Sequence, residues 1–138
     1  MSVEERLRRL EDLEAIRALI ASYRRALDEK DFEAYAELFG DDGEFIADGG
    51  VHARGREEIL AMLADLQSKG ALTVTAGDDR HLVANTEITL NGDTATSHST
   101  WVYITRADKL EMVGRYIDTL RRTPDGWRFA KREAPRDI

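Results

Sequence analysis

Residues 80–105 read RHLVANTEITLNGDTATSHSTWVYIT, two runs rich in Val, Ile, Thr and aromatic residues on either side of Asn91-Gly92-Asp93. β-Branched and aromatic side chains suit the pleated, half-buried surface of a strand. Asn, Gly and Asp tolerate the positive φ that a tight hairpin demands. The stretch therefore predicts antiparallel strands over Arg80–Leu90 and Thr94–Thr105. Pro124-Asp125-Gly126 is a second turn signal, and it separates strands expected over Glu111–Arg121 and Trp127–Glu133. Leu72–Thr75 reads as a short strand ahead of them. The second half of the chain is thus an antiparallel meander.

Upstream of Gly70 the hydrophobic period is near 3.6 instead of 2. From Val3 to about Lys30, the residues Leu7, Leu10, Leu13, Ile16, Ile20, Tyr23 and Leu27 recur at spacings of three and four, one face of a long amphipathic helix. Asp31 is placed to cap a second, short helix with Phe32, Tyr35, Ala36 and Phe39 as its apolar contacts. Gly40-Asp41-Asp42-Gly43 ends it. Glu44–Asp48 and Val51–Ala53 read as a small hairpin about Gly49-Gly50. A third helix runs from about Arg56 to Ser68, burying Ile59, Met62, Leu63 and Leu66. Residues 1–138 are expected to form a single α+β domain.

Composition limits what this domain does. With 42% hydrophobic and 34% charged residues over 138 positions, the chain has the apolar content of a folded globule. A net charge of −7 excludes the clustered cations that displace counterions from nucleic acid. Arg6/Arg8/Arg9, Arg24/Arg25 and Arg121/Arg122 are interleaved with acids and read as solvated faces. The sequence has no cysteine, which removes disulfides, thiol nucleophiles and thiolate metal sites together. The charged start Met1-Ser2-Val3-Glu4-Glu5-Arg6 does not resemble a signal peptide, and no apolar run approaches the ~20 residues that cross a bilayer. The expectation is a cytoplasmic protein with neither nucleic acid nor membrane as partner.

Three histidines, His52, His81 and His98, are available as general bases near neutral pH. His81 opens the longest expected strand. A working imidazole base needs a carboxylate to fix its tautomer. Asp28, in the last turn of the first helix, is the acid out of place, because it faces the negative end of the helix dipole. From these residues alone the plainer reading is a solvated member of Asp28-Glu29-Lys30-Asp31.

Tyr23 through Asp28 to Phe32, Leu38-Phe39 with its acidic glycine turn, Gly55-Arg56-Glu57-Glu58-Ile59, Arg80-His81, Gly92-Asp93-Thr94-Ala95, Gly114-Arg115-Tyr116 and Gly126-Trp127-Arg128-Phe129 with Arg132 together carry a resemblance, from about Glu11 to Glu133. In order and spacing they resemble the SnoaL-like family of the nuclear transport factor 2-like superfamily, whose members include scytalone dehydratase, bile acid 7α-dehydratase and lindane dehydrochlorinase. The resemblance implies a cone, in which a curved, mostly antiparallel sheet packs on three N-terminal helices and encloses a pocket. It also implies catalytic roles for His81, Asp28, Tyr23 and Arg132, with no metal and no cofactor. His81 would take a proton from carbon, while Arg132 and Tyr23 would stabilise the developing negative charge. His98, Trp101, Tyr103 and Tyr116 are weaker pocket candidates. A small-molecule ligand or substrate and a homodimer or homotrimer are the partners it implies.

Geometry qualifies this picture at two points. Tyr23 and Asp28, five residues apart, lie about 140° apart around an ideal helix. Strict strand alternation sets His81 with Val83 and Asn85, opposite Leu82, Ile88 and Leu90, and sets Arg132 opposite Trp127 and Phe129. A bulge would reverse either assignment. The functional expectation is a cofactor-independent, dehydratase-like lyase or isomerase acting on a small, apolar, oxygenated or halogenated molecule. The alternative is a non-catalytic ligand-binding or oligomerisation module.

Overall fold

The computed structural model describes residues 1–70, 72, 79–105 and 109–138. Apart from Leu72, the short strand expected at Leu72–Thr75 lies outside the described residues. Among those described, three helices precede most of the sheet: α1 (Val3–Asp28), α2 (Phe32–Glu37) and α3 (Gly55–Ser68). Six strands follow or intervene: β1 (Phe39–Ala47), β2 (Val51–Arg54), β3 (Asp79–Asn91), β4 (Thr94–Thr105), β5 (Lys109–Thr123) and β6 (Gly126–Ala134).

Local chemistry accounts for the helix starts. Ser2 caps α1, its Oγ accepting the Glu5 N–H at 3.1 Å. Asp31 caps α2 by accepting the Ala34 N–H at 3.1 Å. The apolar face of α1 is narrower than its periodicity suggests: burial begins at Asp12, and Leu7 and Leu10 are exposed. Phe39 belongs to β1, not to the second helix, and β1 continues through Gly40–Gly43, where a turn was expected.

The strand order is β2-β1-β6-β5-β4-β3. The hairpin about Gly92 pairs Asn91 with Thr94 as read from the sequence, and β3, β4, β5 and β6 form the antiparallel meander. β1 joins β6 in parallel, with Phe45 beside Arg132. This order corrects the expected cone. The fold is α+β as expected, but its sheet is not curled or closed. β2 and β3 stand at its two edges without pairing to each other. β2 is four residues long, so it offers few free backbone groups to a second edge. The helices pack on the sheet instead, α1 meeting β3 and β6 while α3 meets β1 and β2. The core lies in that interface, around Ile16, Tyr23, Tyr35, Phe39, Ile59, Leu63, Leu120 and Phe129.

Two bulges decide which side chains reach the interface. Between Ala84 and Glu87, β3 carries one residue more than its partner β4, and Asn85 sits there at φ 56. Asn is among the few residues that accept this left-handed conformation readily. β6 carries one extra residue, Ala130, between Phe129 and Lys131. Each bulge shifts the alternation by one. His81 therefore shares the helix-covered face with Ile88 and Leu90, and Arg132 shares it with Trp127 and Phe129. His81 keeps its expected side relative to Val83 and Leu82, but its relation to Ile88 and Leu90, and that of Arg132 to Trp127 and Phe129, are reversed.

Candidate active site

Asp28 is the last residue of α1, and its carboxylate reaches across to the start of β3. It accepts the backbone N–H of His81 at 3.0 Å to Oδ2, and its Oδ1 lies 2.6 Å from His81 Nδ1. Arg24, one turn back on α1, adds an ion pair at 3.3 Å. The carboxylate is thus held from backbone and side chain together. The solvated reading of Asp28 fails: its side chain is 7% exposed and that of His81 16%. With Nδ1 committed to Asp28, Nε2 has no hydrogen-bond partner among the described residues. The ring lies tilted against Tyr103, centroids 4.7 Å apart, and 6.0 Å from the Trp101 ring.

His81 borders two cavities. One, of about 260 Å³, is lined by Tyr23, Leu27, Phe45, His81, Trp101 and Tyr116, with Asp48 and Arg136 among its other walls. The second, of about 370 Å³, opens between α1 and the β3 edge beside Arg17, Arg24 and Leu82. Gly114 makes room for the Trp101 wall, since a Cβ there would stand 2.3 Å from the indole ring and 2.4 Å from the Pro135 carbonyl oxygen. The 140° between Tyr23 and Asp28 resolves into different strands of one sheet. Asp28 turns to β3, and Tyr23 packs on Tyr116 of β5 and Phe129 of β6.

Tyr23 is buried, and its hydroxyl lies 2.8 Å from that of Tyr35. Burial, reinforced by neighbouring Tyr35, raises the Tyr23 phenol well above the ordinary tyrosine range. Burial first, then Tyr23, does the same to Tyr116. Both stay protonated as donors. Arg132 is not brought to the cavity wall. Its guanidinium lies beneath the rings of Tyr23, Tyr116 and Phe129, at 4.3, 3.7 and 4.4 Å from their centroids. It is bidentate to Asp118, with Nε to Oδ1 at 2.7 Å and Nη2 to Oδ2 at 2.9 Å. Burial opposes its charge, but the Asp118 carboxylate outweighs burial and raises the pKa.

The weaker candidates divide. Trp101 and Tyr116 line the smaller cavity. Tyr103 is buried against His81 and donates its hydroxyl to Asp79. His98 is exposed on the opposite face of β4, because inward positions there fall on odd numbers. His52, in β2, pairs with Glu44 on the surface. Tyr35 and Asp118 were missed by the sequence reading. Tyr35 passed as an apolar contact of α2. Asp118 had a usable signal, an acid on the same side of β5 as Tyr116 and Leu120. Among the described residues no group of three or more His, Asp or Glu side chains is placed to hold a metal ion.

A family model described as a SnoaL-like domain matches residues 8–133. The chain belongs to the SnoaL-like family. Solved structures extend the comparison. An NTF2-like protein with a cystatin-like fold from Novosphingobium aromaticivorans is 34% identical, covering 98% of this chain and 88% of its own, with a TM-score of 0.86. A candidate scytalone dehydratase from Novosphingobium aromaticivorans DSM 12444 is 26% identical over 94% of this chain and 87% of its own, with a TM-score of 0.77. LinA, 19% identical over 96% of this chain and 90% of its own, shares the fold with a TM-score of 0.81. No curated protein matches the sequence significantly. Among the described residues, no helix of this SnoaL-like chain is long and apolar enough to cross a membrane.

Proposed function

We propose that this protein is a cofactor-independent, dehydratase-like lyase or isomerase in which His81 and Asp28 act as a dyad. The observation that carries this reading is the 2.6 Å contact between His81 Nδ1 and Asp28 at the wall of an aromatic cavity. Asp28 accepts the Nδ1 proton and so fixes the tautomer that leaves Nε2 as the base. Nε2 takes a proton from a substrate carbon. The C–H electron pair forms a carbon–carbon double bond as the leaving group departs with its own pair. The imidazolium then returns its proton to a departing hydroxide, or to another carbon in an isomerisation. Tyr23 and Tyr116, held protonated by burial, donate to the oxygen on which negative charge develops. Arg132 acts through these two rings from behind. The likeness to a candidate scytalone dehydratase supports the same class of chemistry. Simple ligand holding would not require a carboxylate committed to one imidazole nitrogen.

The test is deuterium uptake from D2O and alkene formation, followed by NMR, over a panel of small cyclic ketones and β-hydroxy or β-halo carbonyl compounds. His81→Gln and Asp28→Asn should each lower the rate about 10²–10⁴-fold. Wild-type rates in both variants would refute the dyad.

A further inference from the structure

The larger cleft beside His81, of about 370 Å³, lies between α1 and the free edge of β3. Arg17 and Arg24 stand two helical turns apart on α1, so both project from one face, with about 10 Å between their backbones. That separation is within the combined reach of two arginine side chains. Arg17 is exposed and has no hydrogen-bond or ion-pair partner among the described residues. Arg24 gives one nitrogen, Nη1, to Asp28 at 3.3 Å, and its side chain keeps 34% of its surface. Between the two cations the walls are apolar, Ile20 and Ala21 from α1 and Leu82 and Val83 from β3. Leu82 is 50% exposed there. None of the described residues lining this cleft is an acid, in a chain whose net charge is −7. The clefts at Arg9 and at Arg128, by contrast, each include acids among their walls.

We propose that this cleft binds a small monocarboxylate with an apolar body, its carboxylate on Arg17 and Arg24 and its hydrocarbon part laid over Leu82 and Val83. Guanidinium groups present forked donors that match a carboxylate. A single charge suits the site, because a dianion held on Arg24 would meet the Asp28 carboxylate beside it with greater repulsion. An anion without an apolar body would leave the walls uncovered. The volume stands at the lower end of the ~300–1,000 Å³ of small-molecule sites, which suits one ring. The site does not depend on turnover at His81, yet it touches the dyad. A ligand carboxylate competes with Asp28 for Arg24, so ligand binding and the Asp28 charge oppose each other. Such coupling is reciprocal, and removing that charge should tighten the ligand.

Benzoate and its neutral counterpart benzamide are titrated into the isotope-labelled full chain and followed by NMR, at low ionic strength, where exposed charges are least screened. Benzoate should shift the backbone N–H signals of Ala21, Val83 and Thr86 to saturation and bind more tightly than benzamide. Arg17→Gln should weaken benzoate about five- to tenfold, the scale of one charge-assisted hydrogen bond, and change benzamide less than about twofold. Arg25→Gln removes the same charge from α1 outside the cleft, and it should change benzoate less than about twofold. Asp28→Asn should tighten benzoate about two- to threefold. Arg17 is exposed, so its variant should melt as the wild type does. Saturating shifts confined to Phe45 and Ala47 of the smaller cavity, equal losses in the two arginine variants, equal affinity for benzamide, weaker benzoate binding in Asp28→Asn, or no benzoate binding at all would overturn the proposal.

Discussion

Two acid–base pairs sit on the same helix-covered face, and they differ in what they leave unused. Arg132 and Asp118 are both 0% exposed, joined by two hydrogen bonds within β5 and β6, roofed by three aromatic rings. His81 and Asp28 join β3 to the end of α1, and the imidazole keeps 16% of its surface, with Nε2 unpaired among the described residues. The first pair is turned wholly inward, and its one nitrogen without a partner among the described residues, Arg132 Nη1, is buried. The second engages one imidazole nitrogen, and His81 borders a cavity. Distance alone does not separate a structural pair from a chemical one, since both approach within 2.7 Å. A spare nitrogen at a cavity does.

The contrast breaks most visibly in stability. Arg132→Leu should cost about 3–5 kcal/mol in urea unfolding, because it strands the Asp118 carboxylate out of water. A companion Asp118→Leu should restore much of the loss, since two absent charges cost less than one orphan. A loss under about 1 kcal/mol in the single variant would mean that Asp118 is hydrated.

A third pair lies between the extremes. Arg122 donates twice to Asp12, at 2.7 and 2.8 Å, and Trp127 Nε1 adds a bond at 3.1 Å. The Arg122 hydrogen bonds hold the Asp12 carboxyl below the usual range, against burial and with help from Trp127. A depressed folded-state pKa contributes stability that is whole above the unfolded value of about 4 and drains away as pH falls through the folded value. Asp12→Asn should cost about 2 kcal/mol at neutral pH and flatten the stability profile below pH ~4. An unchanged acid slope would remove Asp12 from the account. The smallest effect belongs to His81→Gln, within about 1 kcal/mol in the same unfolding assay, since the Asp28 bond to the backbone N–H survives. A larger loss would place His81 among the structural pairs.

Much of this architecture was legible in the sequence because local chemistry specifies it. The ends of β4, the Asn91-Gly92-Asp93 turn and the Asp31 cap follow from nearby residues alone. The parallel pairing of β1 with β6 was not legible, because it joins segments far apart in the chain and leaves no local mark. For the same reason the order of strands, and with it the open sheet, had to come from the structure. Asp28 and His81 stood out through an acid at the wrong end of a helix and a histidine at a strand start. Arg132 was found, but its surroundings were not. Its apparent place opposite Phe129 depended on counting by twos through Ala130, and its partner Asp118 lay unnoticed among apolar neighbours.

Asn85 gives the molecule a phase shift. Upstream of it, odd-numbered side chains of β3 meet the helices; downstream, even-numbered ones do. The position of His81 is thus written partly in a residue four places away that touches none of the chemistry. Regular pairing through Asn85, without the bulge, would leave Ile88 and Leu90 in the core and carry His81 to the outer surface, with every atom of the dyad still present in the chain. In such a fold an insertion or deletion is more informative than a substitution, because it tests the address of a side chain and leaves its identity alone.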